Sequence, residues 1–240
     1  MDVFWRTIDV IQCITLRTRP ERRALAELQF ASVGLLDRVK FLEREPDVED
    51  GKRGCFHSHQ AAAAHALQQS ARYALIFEDD VQFLPHFTGH AASRAAHFIE
   101  HTMEEWEIFF LGHFARKMEL TSQPDIVRVR AMDGHAYVLS REGMQKLCSL
   151  EYRGDQVDVH FHYESTQAFA LYPMIAVQAA LYSDTEEMQR EADWNDDKLK
   201  REQDLYQACV RRSAVEAAMR QLGLPNGLDR GSLQTKRSDV

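Results

Sequence analysis

The stretch "ARYALIFEDDVQF", residues 71–83, runs five apolar or aromatic residues, Tyr73 to Phe77, straight into three adjacent carboxylates, Glu78, Asp79 and Asp80. The apolar half reads as a buried strand. The acidic half raises a difficulty, because neighbouring like charges repel and a carboxylate taken out of water is strongly destabilised unless a cation or hydrogen-bond donors compensate it. Two readings are open: a solvated strand end with an aspartate capping the next turn, or a strand end that gathers a cation. In an extended chain Glu78 and Asp80 would point one way and Asp79 the other, so that two acids converge.

The flanking segments decide what kind of sheet this strand joins. "CFHSHQAAAAHALQQSAR" (55–72) is Ala-rich and predicts a helix, and the acidic, Gly-containing "EPDVEDGKRG" (45–54) before it predicts a loop. Further upstream, "VIQCITL" (10–16) is a continuous β-branched run of the parallel-sheet kind. "RTRPERR" (17–23) stops it, residues 22–34 predict a helix with Leu25, Leu28 and Val33 as its apolar positions, and "DRVKFLERE" (37–45) brings a second strand. Downstream, "WEIFFLG" (106–112), "GHAYVLS" (134–140) and part of "FALYPMIAVQ" (169–178) predict strands, and Ser140 is placed to cap the helix "REGMQKLCSL" (141–150). Strands alternating with helices indicate an α/β layered domain, whose ligands gather at the carboxyl ends of the strands. The acidic triplet occupies such an end. Residues 1–185 form this core. Residues 186–240 form a charged helical C-terminal extension with a weak apolar stripe (Tyr206, Cys209, Val210, Ala214, Ala217, Ala218) and a polar tail, expected to support the core rather than the ligand site.

Composition sets the outer limits. With 240 residues, 45% of them hydrophobic, the chain can bury a full core. Its apolar runs fall short of the roughly 20 residues that a membrane span requires, which leaves only peripheral association open. "MDVFWRTIDVIQCITL" shows no secretory signal. Cys13, Cys55, Cys148 and Cys209 form no C-x-x-C pair, which favours free thiols in the cytoplasm. A net charge of -8 argues against nucleic-acid binding, which needs a broad positive field.

The acidic triplet and the glycines upstream of it also carry a resemblance. "GKRGCFHSHQ" followed by "YALIFEDDV" resembles the Gly-x-x-Gly-Cys-x-x-Ser-His and Leu-Glu-Asp-Asp-Val signature of glycosyltransferase family 25, the lipopolysaccharide and collagen galactosyltransferase family. Gly51, Gly54, Cys55, Ser58, His59, Glu78, Asp79, Asp80 and Val81 match. "ITLRTRPERR" and "GHAYVLSREGMQKL" are similar to the family's opening strand and to its Ser-capped helix. The resemblance implies a GT-A type nucleotide-sugar-binding fold with a mostly parallel sheet flanked by helices, a nucleotide-sugar donor, and a divalent metal, Mn²⁺ or Mg²⁺, at the acidic motif. One departure is Thr15, which stands where the family's opening strand usually has Asn.

Site expectations follow from both lines of argument. Hard carboxylate oxygens suit Mn²⁺ or Mg²⁺, so Asp80 with Glu78 is assigned to metal. Thr15, Arg17 and Arg22, at and after the first strand, together with Ser58, His59, Glu78, Asp79 and Asp184, are assigned to the donor. Ser58 and His59 are expected beside a glycine-bearing helix N-terminus whose N–H groups could take a phosphate. Asp158 is the candidate general base, with His160 second. Cys55, His57 and His59 could also be read as transition-metal ligands, but closed sites bring four ligands, so Cys55 is read as packing. His86, His90, His97 and His101 read as solvated surface. The implied activity is metal-dependent transfer of a hexose, galactose first, from a UDP-sugar to a hydroxyl on a glycan or protein. Its rivals are a non-catalytic nucleotide-sugar-binding or scaffolding protein and a metal-dependent phosphohydrolase.

Overall fold

The computed structural model describes residues 2–85, 89–103, 105–159, 165, 167–183, 188–189 and 193–222. A short helix α1 (Asp2–Thr7) leads into β1 (Val10–Leu16). β1 lies between β2 (Val39–Arg44) and β3 (Tyr73–Glu78) and is parallel to both, which is why its sequence is continuously apolar rather than alternating. Its one strongly polar interior residue, Gln12, is fully buried and donates to the Ala62 carbonyl at 2.9 Å.

The crossovers that make these strands parallel are α2 (Pro20–Ser32) and α3 (Gly51–Gln68). α2 starts on Pro20, whose missing N–H is no loss in the first turn. It stops at Gly34, whose φ of +67° permits the closing bonds from the Gly34 N–H to the Ala31 carbonyl and from the Leu35 N–H to the Phe30 carbonyl. α3 begins four residues earlier than its composition suggests. Asp50 caps it by accepting the N–H groups of Lys52 and Arg53, so Gly51 and Gly54 belong to the first turn and not to a loop.

After β3 come β4 (Val81–Phe83), α4 (Gly89–His101), β5 (Ile108–Leu120), β6 (Ile126–Ser140) and α5 (Arg141–Ser149). Ser140 accepts the Gly143 N–H at 3.1 Å, the cap expected of it. β5 and β6 form a hairpin that runs well past the predicted strands. β7 (Ala168–Leu171) and β8 (Ala176–Gln178) follow, then the two-residue strands β9 (Tyr182–Ser183) and β10 (Met188–Gln189), and finally α6 (Trp194–Gln221). The main sheet has the order β2-β1-β3-β6-β5-β7, and β6 is the one strand in it that runs against the others. It is the mostly parallel, helix-flanked α/β sheet expected of a GT-A type fold.

Alternate residues of each strand feed two cores. Leu75 and Phe77 face a layer with Phe4, Trp5, Phe30 and Phe98; Ala74 and Ile76 face a layer with Phe56, Ala66, Tyr137 and Leu147. α6 docks on the second layer with part of the predicted stripe, since Tyr206 and Cys209 pack there beside Leu205. Val210, Ala214 and Ala218 are exposed, and the buried residues of the helix are Lys198 and Glu202. Glu202 accepts the Met174 N–H at 3.0 Å, and Tyr206 stacks on Tyr172 at 3.7 Å.

Burial pushes the Glu202 carboxyl up to about 8. The unfolded chain releases that proton near pH 4.3, so the folded protein holds an extra proton between about pH 4.3 and pH 8, and stability falls across that window as pH rises. Glu202→Gln keeps the acceptor for Met174 and removes the titration. Its melting temperature should gain on the wild type steadily from pH 5 to pH 8; parallel pH profiles for the two proteins would show that Glu202 is ionised in the fold.

Candidate active site

β1 and β3 open at their carboxyl ends into a cavity of about 500 Å³. β3 stops at Glu78, and Asp79 and Asp80 make a turn into β4, which leaves the main sheet to pair with β8. The alternation expected of an extended chain therefore ends one residue too soon. Asp79 and Asp80 converge, and they do so on Arg22 of α2, whose Nη2 lies 2.6 Å from Asp79 Oδ1 and 3.4 Å from Asp80 Oδ2. Glu78 faces His59 instead, 3.2 Å from Nε2, while Nδ1 of the same ring meets the Tyr137 hydroxyl at 2.7 Å. One guanidinium and one imidazole thus offset the repulsion of the triplet.

The compensation is incomplete. Burial pushes the Asp79 carboxyl up to about 6 against the pull of Arg22 and of the Thr15 hydroxyl, and the charges of Asp80 and Glu78 add to the rise. Thr15 is buried in the cavity wall, and its hydroxyl lies close enough to Asp79 to help its charge without forming a well-aligned hydrogen bond. A residual negative charge on hard oxygen donors suits the divalent metal that the family resemblance implies, so the residues present fit it. A softer donor set stands alongside: Cys55, His59 and Glu78 each bring one ligand atom within 4.8 Å of the others. Cys55 therefore lines the cavity and is not packing alone. His57 is turned away, its Nδ1 3.0 Å from Gln60 Oε1.

Ser58 and His59 also reach the cavity, but from the second and third turns of α3. Ser58 donates to the Gly54 carbonyl at 2.7 Å, and the first-turn N–H groups are taken by Asp50. The expected phosphate cradle at that terminus is filled by the chain's own carboxylate. Arg17 lies outside the lining, solvated and paired with Glu45 at 2.6 Å, an exposed contact of small energetic weight. Arg19 lines the cavity in its place. His160 and Asp184 lie outside the described residues.

Asp158 lines the same cavity. It is 8% exposed, its Oδ2 accepts the Asp133 N–H at 3.1 Å, and its Oδ1 accepts the Val159 N–H at 2.9 Å. Burial pushes its carboxyl up to about 6; the Asp133 N–H works against that rise, and the charges of Asp133 and Glu78 reinforce it. Asp133 and Gln178, neither assigned from sequence, line the same cavity, and both contact Lys198 of α6. A glycine inside a strand pattern, Gly134, is a bulge signal that marks the neighbouring Asp133. Lys198 sits in a run of charges and carries no comparable signal.

Residues 42–159, which span the Cys55–His59 turn, the acidic corner and Asp158, match the model of glycosyltransferase family 25, described as an LPS biosynthesis protein. Through this segment, just under half of its length, the chain is similar to glycosyltransferase family 25. It is similar to a glycosyltransferase 25 family member of Drosophila pseudoobscura pseudoobscura, 28% identical over 219 residues that cover 72% of this chain and 34% of the relative. It is also similar to the inactive glycosyltransferase 25 family member 3 of Homo sapiens, 23% identical over 173 residues, 61% of this chain and 29% of that protein. The chain spans about a third of the length of the curated relatives it matches. Among solved structures, a glycosyltransferase involved in the glycosylation of the major capsid of PBCV-1 superposes with a TM-score of 0.41 at 13% identity, covering 68% of this chain and 83% of that one, a likeness too slight to argue from.

In this site, Arg22→Met would leave two nearly buried carboxylates without their shared cation, a loss of about 3 to 5 kcal/mol where both are ionised. Asp79 takes up a proton as pH falls through about 6, so urea unfolding should show the large loss at pH 8 and a smaller one at pH 5. Equal losses at the two pH values would assign the effect to packing.

Proposed function

We propose that this chain is a metal-dependent glycosyltransferase that moves a hexose, galactose first, from a UDP-sugar to a hydroxyl on a glycan or hydroxylated protein. One observation carries the reading: a single cavity is lined both by the acidic corner and by a buried carboxylate fixed by two backbone N–H groups. Asp80 and Glu78 would hold Mn²⁺ or Mg²⁺, which when bound stabilises the negative charge developing on a departing diphosphate. Arg22 and Arg19 add cationic groups on the same side, with Arg19 taking the role first given to Arg17, while Thr15, Ser58 and His59 shape the donor wall beside Asp79. Asp158 accepts the proton of the acceptor hydroxyl as its oxygen bonds to the sugar's anomeric carbon and the bond to the diphosphate breaks. A carboxyl near 6 is ionised at neutral pH yet basic enough for that transfer. The same reading places the protein in the cytoplasm, supported by four free cysteines; no helix among the described residues is long and apolar enough to cross a membrane.

A second reading, a nucleotide-sugar binder without turnover, is favoured by the human relative, an inactive glycosyltransferase 25 family member. A phosphohydrolase would leave the buried Asp158 without a role.

Asp80→Asn should fold normally and lose the Mn²⁺-dependent thermal shift given by UDP-galactose, because mass action no longer links donor to stability. Asp158→Asn should keep that shift and lose transfer by about 10²- to 10⁴-fold. Wild-type transfer should rise with pH through about 6, following ionisation of Asp158. A donor shift without transfer or hydrolysis in the wild type would establish the binder reading.

A further inference from the structure

α6 lies beyond the matched family segment, yet its buried face is charged. Lys198 is 3% exposed, and its Nζ meets Asp133 Oδ2 at 2.5 Å and Gln178 Oε1 at 2.9 Å. Burying an ammonium in a helix that could have offered leucine is costly unless the charge is used. Asp133, its partner, has a φ of +71°, the left-handed region that residues other than glycine rarely occupy unless their surroundings hold them there. In that conformation the Asp133 N–H points at Asp158 Oδ2, 3.1 Å away. A continuous chain of contacts therefore runs from Lys198, through both the side chain and the backbone of Asp133, to the carboxylate of Asp158.

We propose that Lys198 is a positioning residue: by neutralising Asp133 and holding its backbone in the left-handed conformation within β6, it fixes the orientation and the charge state of Asp158, so that α6 completes the active site. The catalytic half of this inference rests on Asp158 as the acceptor base. Other helix contacts reinforce the clamp, with Asn195 Nδ2 donating to the Gln178 carbonyl at 2.7 Å and Arg201 Nε to the Ala115 carbonyl at 2.6 Å. The ionisable groups around Asp158 are Glu78 from β3, Cys55 and His59 from α3, Asp133 from β6 and Lys198 from α6. Lys198 is the cation among them that touches Asp133 directly, so its removal acts on Asp158 through a defined route. Without it the Asp133 carboxylate stands uncompensated beside a second carboxylate, and Asp158 holds its proton to higher pH.

The test uses carbon-13 NMR of aspartate carboxyls in the full chain, with Asp158→Asn to assign the signal, alongside sugar transfer from UDP-galactose. Lys198→Met should move the Asp158 titration midpoint upward by about 1 pH unit and slow transfer by about 10- to 100-fold, with the donor's thermal shift unchanged. Asp133→Asn added to Lys198→Met removes the stranded charge, keeps the N–H, and suits the left-handed conformation; it should return the midpoint and most of the rate, a rescue that a merely structural lysine would not show. Should Lys198→Met fail to fold, Asp133→Asn alone leaves the lysine charge nearer balance with Asp158 and should move the midpoint down. An unmoved midpoint in folded Lys198→Met, or in Asp133→Asn, overturns the inference whatever the rate. A moved and rescued midpoint upholds it, and normal transfer by Asp158→Asn would then count against the base assignment alone.

Discussion

The contact between Arg22 and the two aspartates after β3 is the constraint around which the site is arranged. Three acids in a row can be buried at a strand end only if a cation or polar partners reach them, and the chain supplies these from two crossovers, the Arg22 guanidinium from α2 and the His59 imidazole from α3. Each crossover is terminated by its own local device, the Gly34 turn after α2 and the Asp50 cap before α3. These fix where the compensating groups fall along their helices. The acidic corner is therefore a product of the parallel crossovers as much as of the acids themselves.

Much of the fold was legible because its signals are local. The β-branched run of β1, the cap at Ser140 and the apolar stretch of β3 each report their own structure, and the parallel pairing of β1 follows from its being buried on both faces. The misreadings share one cause. The direction of Asp79 was inferred by continuing strand alternation into a turn, and the start of α3 was set too late because glycines in a capped first turn look like loop. Thr15, Arg22, Ser58, His59 and Asp158, which the sequence singles out, reach one cavity, and Cys55, which it reads as packing, lines that cavity as well. Arg17 was not separable from Arg19 and Arg22 by sequence, since only the geometry of the turn after β1 decides which arginine faces inward. Asp133 and Lys198 lay beyond reach because they meet across 65 residues, and a lysine within a charged helix reads as solvated.

Beneath α6 lies a polar layer whose charges nearly balance. Burial pushes the His113 imidazole down to about 3 and lowers His135 as well, so both rings stay neutral at physiological pH. Glu202, raised to about 8, is mostly protonated there. Lys198 and Asp133 then form the charged pair of the layer, surrounded by groups that have given up their charge. An ion pair in such a setting is poorly screened by salt, and its influence on Asp158 acts at short range and low dielectric.

Gln178 gives this arrangement a mechanical side. Its side chain takes the Lys198 ammonium, its carbonyl takes Asn195, and its strand partner in β8 is Val81, the residue directly after Asp80. The next residue, Ala179, returns its N–H to the Asp80 carbonyl at 2.6 Å. The acidic corner and the C-terminal helix are thus riveted to one strand end. A shift of either would pull on the other, and through Lys198 and Asp133 the same strand end is linked to the hydrogen bond that holds Asp158.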